Sequence, residues 1–108
     1  MFYKTKMAQQ NRIGSHKTTI RTEGGLTQVI YWETAVLSFD AHFIALNNGG
    51  YYTATTKTRI NQAFNQFGLG YALFQREGLW FIERLDNHEI QEWKGQTLNL
   101  PNYKNGYE

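Results

Sequence analysis

From residue 26 to residue 39 the chain alternates: Val29, Tyr31, Glu33, Ala35, Leu37 and Phe39 share one parity, and Ile30, Trp32, Thr34, Val36 and Ser38 the other. β-Branched and aromatic residues dominate, so the segment reads as strand, open to division into two strands near Glu33. Asp40-Ala41 marks a turn, and residues 42–46 read as a further strand ended by Asn47-Asn48-Gly49-Gly50. Asparagine and glycine tolerate the positive φ of a tight hairpin, so this cluster predicts a returning strand over residues 51–54. The period then changes. Ile60, Ala63, Phe64 and Phe67 lie at i, i+3, i+4 and i+7 with Asn61, Gln62, Asn65 and Gln66 outside the stripe, which predicts one amphipathic helix over about residues 56–67. Thr55 or Thr56 offers the N-cap oxygen, and Gly68 the left-handed residue after the last turn. Residues 70–75 and 79–84 read as aromatic-rich strands joined at Arg76-Glu77-Gly78; Asp86-Asn87 turns again. Two short strands over 89–93 and 97–100 flank a Lys94-Gly95 turn.

Strands adjacent in sequence and joined by short turns favour antiparallel pairing. The expectation is a single α+β domain over residues 25–100, a mainly antiparallel curved sheet or partial barrel with one helix packed on it. Residues 1–24 are rich in Lys, Gln, Asn, Thr and Ser without a sustained period, and read as a basic, flexible N-terminal arm in which Met7 is an alternative start. Residues 101–108 read as a C-terminal tail. A chain of 108 residues suits one domain that buries somewhat more than ~60% of its unfolded surface. The absence of cysteine excludes disulfides, thiolate metal sites and a cysteine nucleophile. No apolar run approaches the ~20 residues of a membrane helix, so no membrane partner is expected.

Catalytic patterns are weak. His16, His42 and His88 are far apart, and Asp40 beside His42 reads as a structural turn. The stretch HEIQE at 88–92 lacks the second histidine of a zinc helix. With neither a nucleophile elbow nor a phosphate-binding glycine loop of the right lysine spacing, the reading is non-enzymatic, with no catalytic residue, metal or cofactor.

Charge changes the picture. The formal net charge is only +2, yet residues 1–22 hold Lys4, Lys6, Arg12, Lys17 and Arg21 without an acid, and residues 41–76 hold Lys57, Arg59 and Arg76 without one. The acids gather at Glu77, Glu83, Asp86, Glu89 and Glu92. Helix starts favour acids, so Lys57 and Arg59 in the first turns cost roughly 0.3–1 kcal/mol each unless an anion is present. The candidate site is therefore residues 51–59: Lys57 and Arg59 for charge, Thr55 and Thr56 for hydroxyls and backbone N–H groups, Tyr51 and Tyr52 for stacking. Tyr31, Trp32, Tyr71 and Trp80 add stacking surface where they face outward. The expected ligand is nucleic acid or another phosphate-bearing molecule. Two rivals stand beside it: the threonines merely cap a solvated helix, or the chain is a protein-interaction module, binding or inhibiting a host factor or assembling as a small homo-oligomer through open strand edges or an aromatic face.

The stretch IALNNGGYYTATTKTRINQAFNQFGLGYALFQREGLWFI, residues 44–82, resembles a group of small, functionally uncharacterised bacteriophage proteins found in phages of cyanobacteria and other marine bacteria. The shared pattern is L-N-x-G-G-[WY] at 46–51, T-x-T-T-K-x-R-x-N-Q at 53–62, F-x-L-G-[YF]-x-[VL]-[FY]-Q at 67–75 and W-[FY]-[VI] at 80–82. The resemblance implies a phage origin, a compact fold and an accessory role; together with the absence of a long apolar run, the expected place is the host cytoplasm. It transfers no catalytic residue.

Overall fold

The computed structural model describes residues 17–106. Among these residues eight strands and two helices follow in the order β1 (Thr18–Glu23), β2 (Leu26–Tyr31), β3 (Thr34–Phe39), β4 (Phe43–Asn47), α1 (Ala54–Gln66), β5 (Tyr71–Arg76), β6 (Leu79–Arg84), β7 (Ile90–Glu92), β8 (Thr97–Pro101) and the single turn α2 (Tyr103–Gly106). The strands form two antiparallel sheets, one ordered β1-β2-β3-β4-β8 and one ordered β5-β6-β7. The α+β class is as expected, with the strands divided between two open sheets instead of closing into a barrel.

Three expectations about the strands need correction. Residues 18–23, assigned to the arm, form β1, paired along its whole length with β2 from Thr18↔Tyr31 to Glu23↔Leu26. Its alternation is hidden in the sequence because Thr, Ile, Arg and Glu give little apolar contrast; residues 1–16 of the arm lie outside the described ones. The returning strand over 51–54 does not form. The Asn/Gly cluster is a turn, with Asn47 Oδ1 accepting from the Gly49 N–H at 2.8 Å and Asn48 Oδ1 from the Gly50 N–H at 2.7 Å. But the free edge of β4 is taken by β8, Ile44 opposite Leu100 and Leu46 opposite Leu98, so the chain leaves the turn directly for α1. The two short strands flanking the Lys94-Gly95 turn form as expected but do not pair with each other: β7 pairs with β6 and β8 with β4, so the turn crosses between sheets. Pro101, placed in the tail, closes β8, and Tyr103 packs against the core.

The helix starts two residues early. Thr53, not Thr55 or Thr56, is the N-cap, with extended backbone (φ −99°, ψ 157°) and a side chain that accepts from the Thr56 N–H at 3.2 Å. Three threonines within four positions are equally fit to cap, and the preceding turn sets the backbone of Thr53 first. The other end is as expected. Gly68 is left-handed at φ 61°, and the Gly68 and Leu69 N–H groups reach back to the carbonyls of Asn65 and Phe64.

Both sheets and α1 close on one core. The first sheet contributes Val29, Leu37, Ile44, Leu46 and Leu100, the second Tyr71, Leu73, Trp80 and Ile82, the residue after β7 Trp93, and the helix Ile60, Ala63 and Phe64. Val36 and Leu37 are neighbours in sequence yet both buried. The register explains this: Val29 faces Leu37 and Ile30 faces Ala35, so Val36 is an extra residue in β3, and strict alternation breaks there. At the opposite side α1 lies against β5, where the Asn61 side chain donates to the Leu73 carbonyl and accepts from the Leu73 N–H, both at 2.8 Å. One amide thus substitutes for a neighbouring strand and seals that edge.

A candidate ligand pocket at the start of helix α1

Two turns meet the start of α1. The β2–β3 connection is the pair Trp32-Glu33, tight enough to hold Trp32 at φ 58°, with its N–H on the Lys17 carbonyl at 2.8 Å. This leaves the indole 60% exposed, with the Lys17 ammonium 4.9 Å from its ring centre. The Asn/Gly turn after β4 delivers Tyr51, 69% exposed. Between them lies a pocket of about 360 Å³, lined by the aromatic Tyr31, Trp32 and Tyr51, by Thr34, Thr53, Thr55 and Thr56, and by the buried Val36 and Asn48. The first turn of α1 holds no acid. The first intrahelical bond runs from the Lys57 N–H to the Thr53 carbonyl, and Thr53 Oγ1 serves Thr56, so the amides of Ala54 and Thr55 stand outside the helix ladder at the positive end of its dipole.

Of the six residues expected to form the site, the structure brings Tyr51, Thr55 and Thr56 to this pocket and disperses the others. Thr56 is buried, its hydroxyl 3.1 Å from that of Thr53. Tyr52 turns away, donating its hydroxyl to the Gly95 carbonyl at 2.6 Å and setting its ring edge-on to Trp80. Lys57 reaches β5, with Nζ donating to Gln75 Oε1 at 3.0 Å. Arg59 is only 9% exposed; it donates from Nε to Thr18 Oγ1 at 2.9 Å and from Nη1 to Gln62 Oε1 at 3.2 Å, and its guanidinium lies 5.5 Å from the ring centre of Tyr31. The two cations diverge because residues two apart are ~200° apart around a helix. Arg59 therefore braces Tyr31, a wall of the pocket, and ties α1 to β1.

Sequence reasoning did not commit to Trp32, Thr53 or Asn48. Trp32 had a signal, a bulky aromatic next to an acid where the alternation is free to break, but its exposure follows from a turn two residues long. Tyr71 and Trp80, also considered for stacking, are buried in the core. The Asp40 carboxylate is occupied by the backbone N–H groups of His42 and Phe43 at 2.8 and 2.9 Å, which holds its pKa below the usual value and makes the pair a turn. Among the described residues no cluster of His, Asp or Glu is arranged to hold a metal ion.

A comparison with protein-family models matches residues 3–107 to the Kyanoviridae Gp96 protein. The chain belongs to this family. The phage origin implied by the motifs at 46–82 thus extends over nearly the whole chain, and the Kyanoviridae Gp96 family is one of small phage proteins of unknown function. No curated protein and no solved structure matches the chain. Among the described residues no helix is long and apolar enough to cross a membrane.

Proposed function

We propose that this phage protein is a non-enzymatic accessory protein of the host cytoplasm that binds single-stranded nucleic acid, taking a base and its phosphate at the pocket before α1. One observation carries the reading: three aromatic side chains and the opening turn of an acid-free helix line the same pocket of about 360 Å³. That volume is at the small end of the ~300–1,000 Å³ usual for ligand sites, so it suits one nucleotide and not a duplex. A base stacked on Tyr51 or Trp32 gains ~1–3 kcal/mol, independent of its identity. The phosphate is met by the Ala54 and Thr55 amides and the Thr55 hydroxyl, with Lys17 adding positive charge beside Trp32. Arg59 is reassigned from a ligand contact to a brace for Tyr31.

Tryptophan fluorescence tests this directly, because Trp32 is exposed while Trp80 and Trp93 are buried. Titration with a short oligothymidylate or oligouridylate is expected to quench Trp32 saturably, with affinity falling steeply as salt rises. Tyr51→Ala is expected to weaken binding ~5–100-fold, the loss of one stacked base. Lack of quenching at low salt, or quenching unchanged in Tyr51→Ala, would overturn the proposal.

A further inference from the structure

The second sheet has an outer face unlike an ordinary solvent face. Its register sets three rows there: Arg76 beside Leu79, Phe74 beside Phe81 and Glu92, and Ala72 beside Glu83 and Ile90. The rings of Phe74 and Phe81 stack with centres 5.4 Å apart and planes 20° apart, and the Arg76 guanidinium lies 5.5 Å from the Phe74 centre. Leu79 and Ile90 remain 49% and 53% exposed. The helix does not cover these residues, because Asn61 fixes α1 along the edge of β5 at Leu73. The two half-buried rings join exposed Leu79 to exposed Ile90 in one apolar strip with a charged rim, the character of an interaction surface.

We propose that a second copy of this chain docks on this face, the two three-stranded sheets packing face to face across a two-fold axis perpendicular to the strands. The placement of Arg76 and Glu83 favours this occupant, against one opposed pair, Glu92 with its own copy. Arg76 stands at the hairpin end and Glu83 two rows away on the neighbouring strand, so the two-fold sets Phe81 against Phe81 and brings Arg76 of each copy beside Glu83 of the other. Among the described residues Arg76 makes no ion pair, while Glu83 meets His88 Nδ1 at 2.8 Å and Glu92 lies 4.0 Å from Lys94. The patch is small, so the dimer is weak and reversible.

Sedimentation equilibrium across micromolar to sub-millimolar concentration is the test. The mass is expected to rise from 12.6 kDa toward twice that value. Leu79→Glu is expected to raise the dissociation constant at least ~10-fold by setting an acid against Glu83 of the other copy. Arg76→Glu and Glu83→Arg are each expected to weaken association, and the double exchange to restore it. Circular dichroism confirms that these exposed variants fold. A monomer at every concentration, association indifferent to Leu79→Glu, or a double exchange that fails to recover would each overturn the proposal, the first of them leaving the face to a partner from the host.

Discussion

The two sheets bury one face each in the same core and turn opposite characters outward. Across the first sheet one outer row reads Arg21, Gln28, Ser38, Ala45 and Asn99, in unbroken register over five strands. These are small or polar side chains, the ordinary solvent face of an antiparallel sheet, with Leu26 beside Glu23 and Phe43 beside Pro101 as separate exposed apolar corners. The middle row of the second sheet holds two stacked phenylalanines and one acid. Its strands YALFQR and LWFIER are apolar at consecutive positions, the pattern of strands covered on both faces. A small sheet with one face in the core and the other still apolar implies a second cover, whereas the larger sheet needs none.

The contrast is broken or sharpened most strongly by comparing phenylalanines. Phe64→Ala, in the buried stripe of α1, is expected to cost ~3–5 kcal/mol in a urea melt, because it leaves a cavity between the sheets. Phe81→Ala on the outer face is expected to cost well under half as much at dilute concentration, and more as concentration rises. Equal losses in dilute solution would mean that the outer face is covered within the chain. The edge seal comes next. Asn61→Ala strips both hydrogen bonds from Leu73 and is expected to cost ~1–3 kcal/mol. In amide exchange, protection should fall across β5 and β6 while β2 and β3 hold; uniform loss would mean that the two sheets unfold as one unit.

The smallest expected effect is acid sensitivity confined to the first sheet. The N–H groups of His42 and Phe43 bind the ionised carboxyl of Asp40 and hold its pKa below the ordinary 3.8. The folded state therefore takes up that proton less readily than the unfolded one. The stabilisation is present above pH 3.8 and is lost as pH falls through the folded value. Asp40→Asn is expected to be less stable than the parent at neutral pH, and the gap in urea midpoints to close in acid. A gap that persists unchanged in acid would refute the assignment.

Local patterns in the sequence were legible wherever neighbours in the chain decide the outcome. The stripe from Ile60 to Phe67, the left-handed Gly68 and the Glu77-Gly78 hairpin follow from period and turn chemistry alone. The destination of a turn does not. Asn47-Asn48-Gly49-Gly50 was recognisable as a turn, but its outcome depends on β8, about fifty residues later, occupying the edge that a hairpin would have used. The site divides in the same way. Thr55, Thr56 and the exposed Tyr51 could be chosen from helix chemistry, whereas the burial of Arg59 against Tyr31 and Thr18 rests on β1, a strand with too little apolar contrast to see. Trp32 enters the pocket because β2 and β3 are joined by only two residues, a property of register.

The placement of β8 sets an order of events during synthesis. β1 to β4 emerge first, and Ile44 and Leu46 stay on a bare strand edge until residues 97–101 have left the ribosome and closed over them. By then the helix and the whole second sheet have been made. The last strand is thus a clasp: a chain broken off before Thr97 would keep an open apolar edge suited to pairing with its own kind, and should be cleared or aggregate instead of persisting as a partly working fragment.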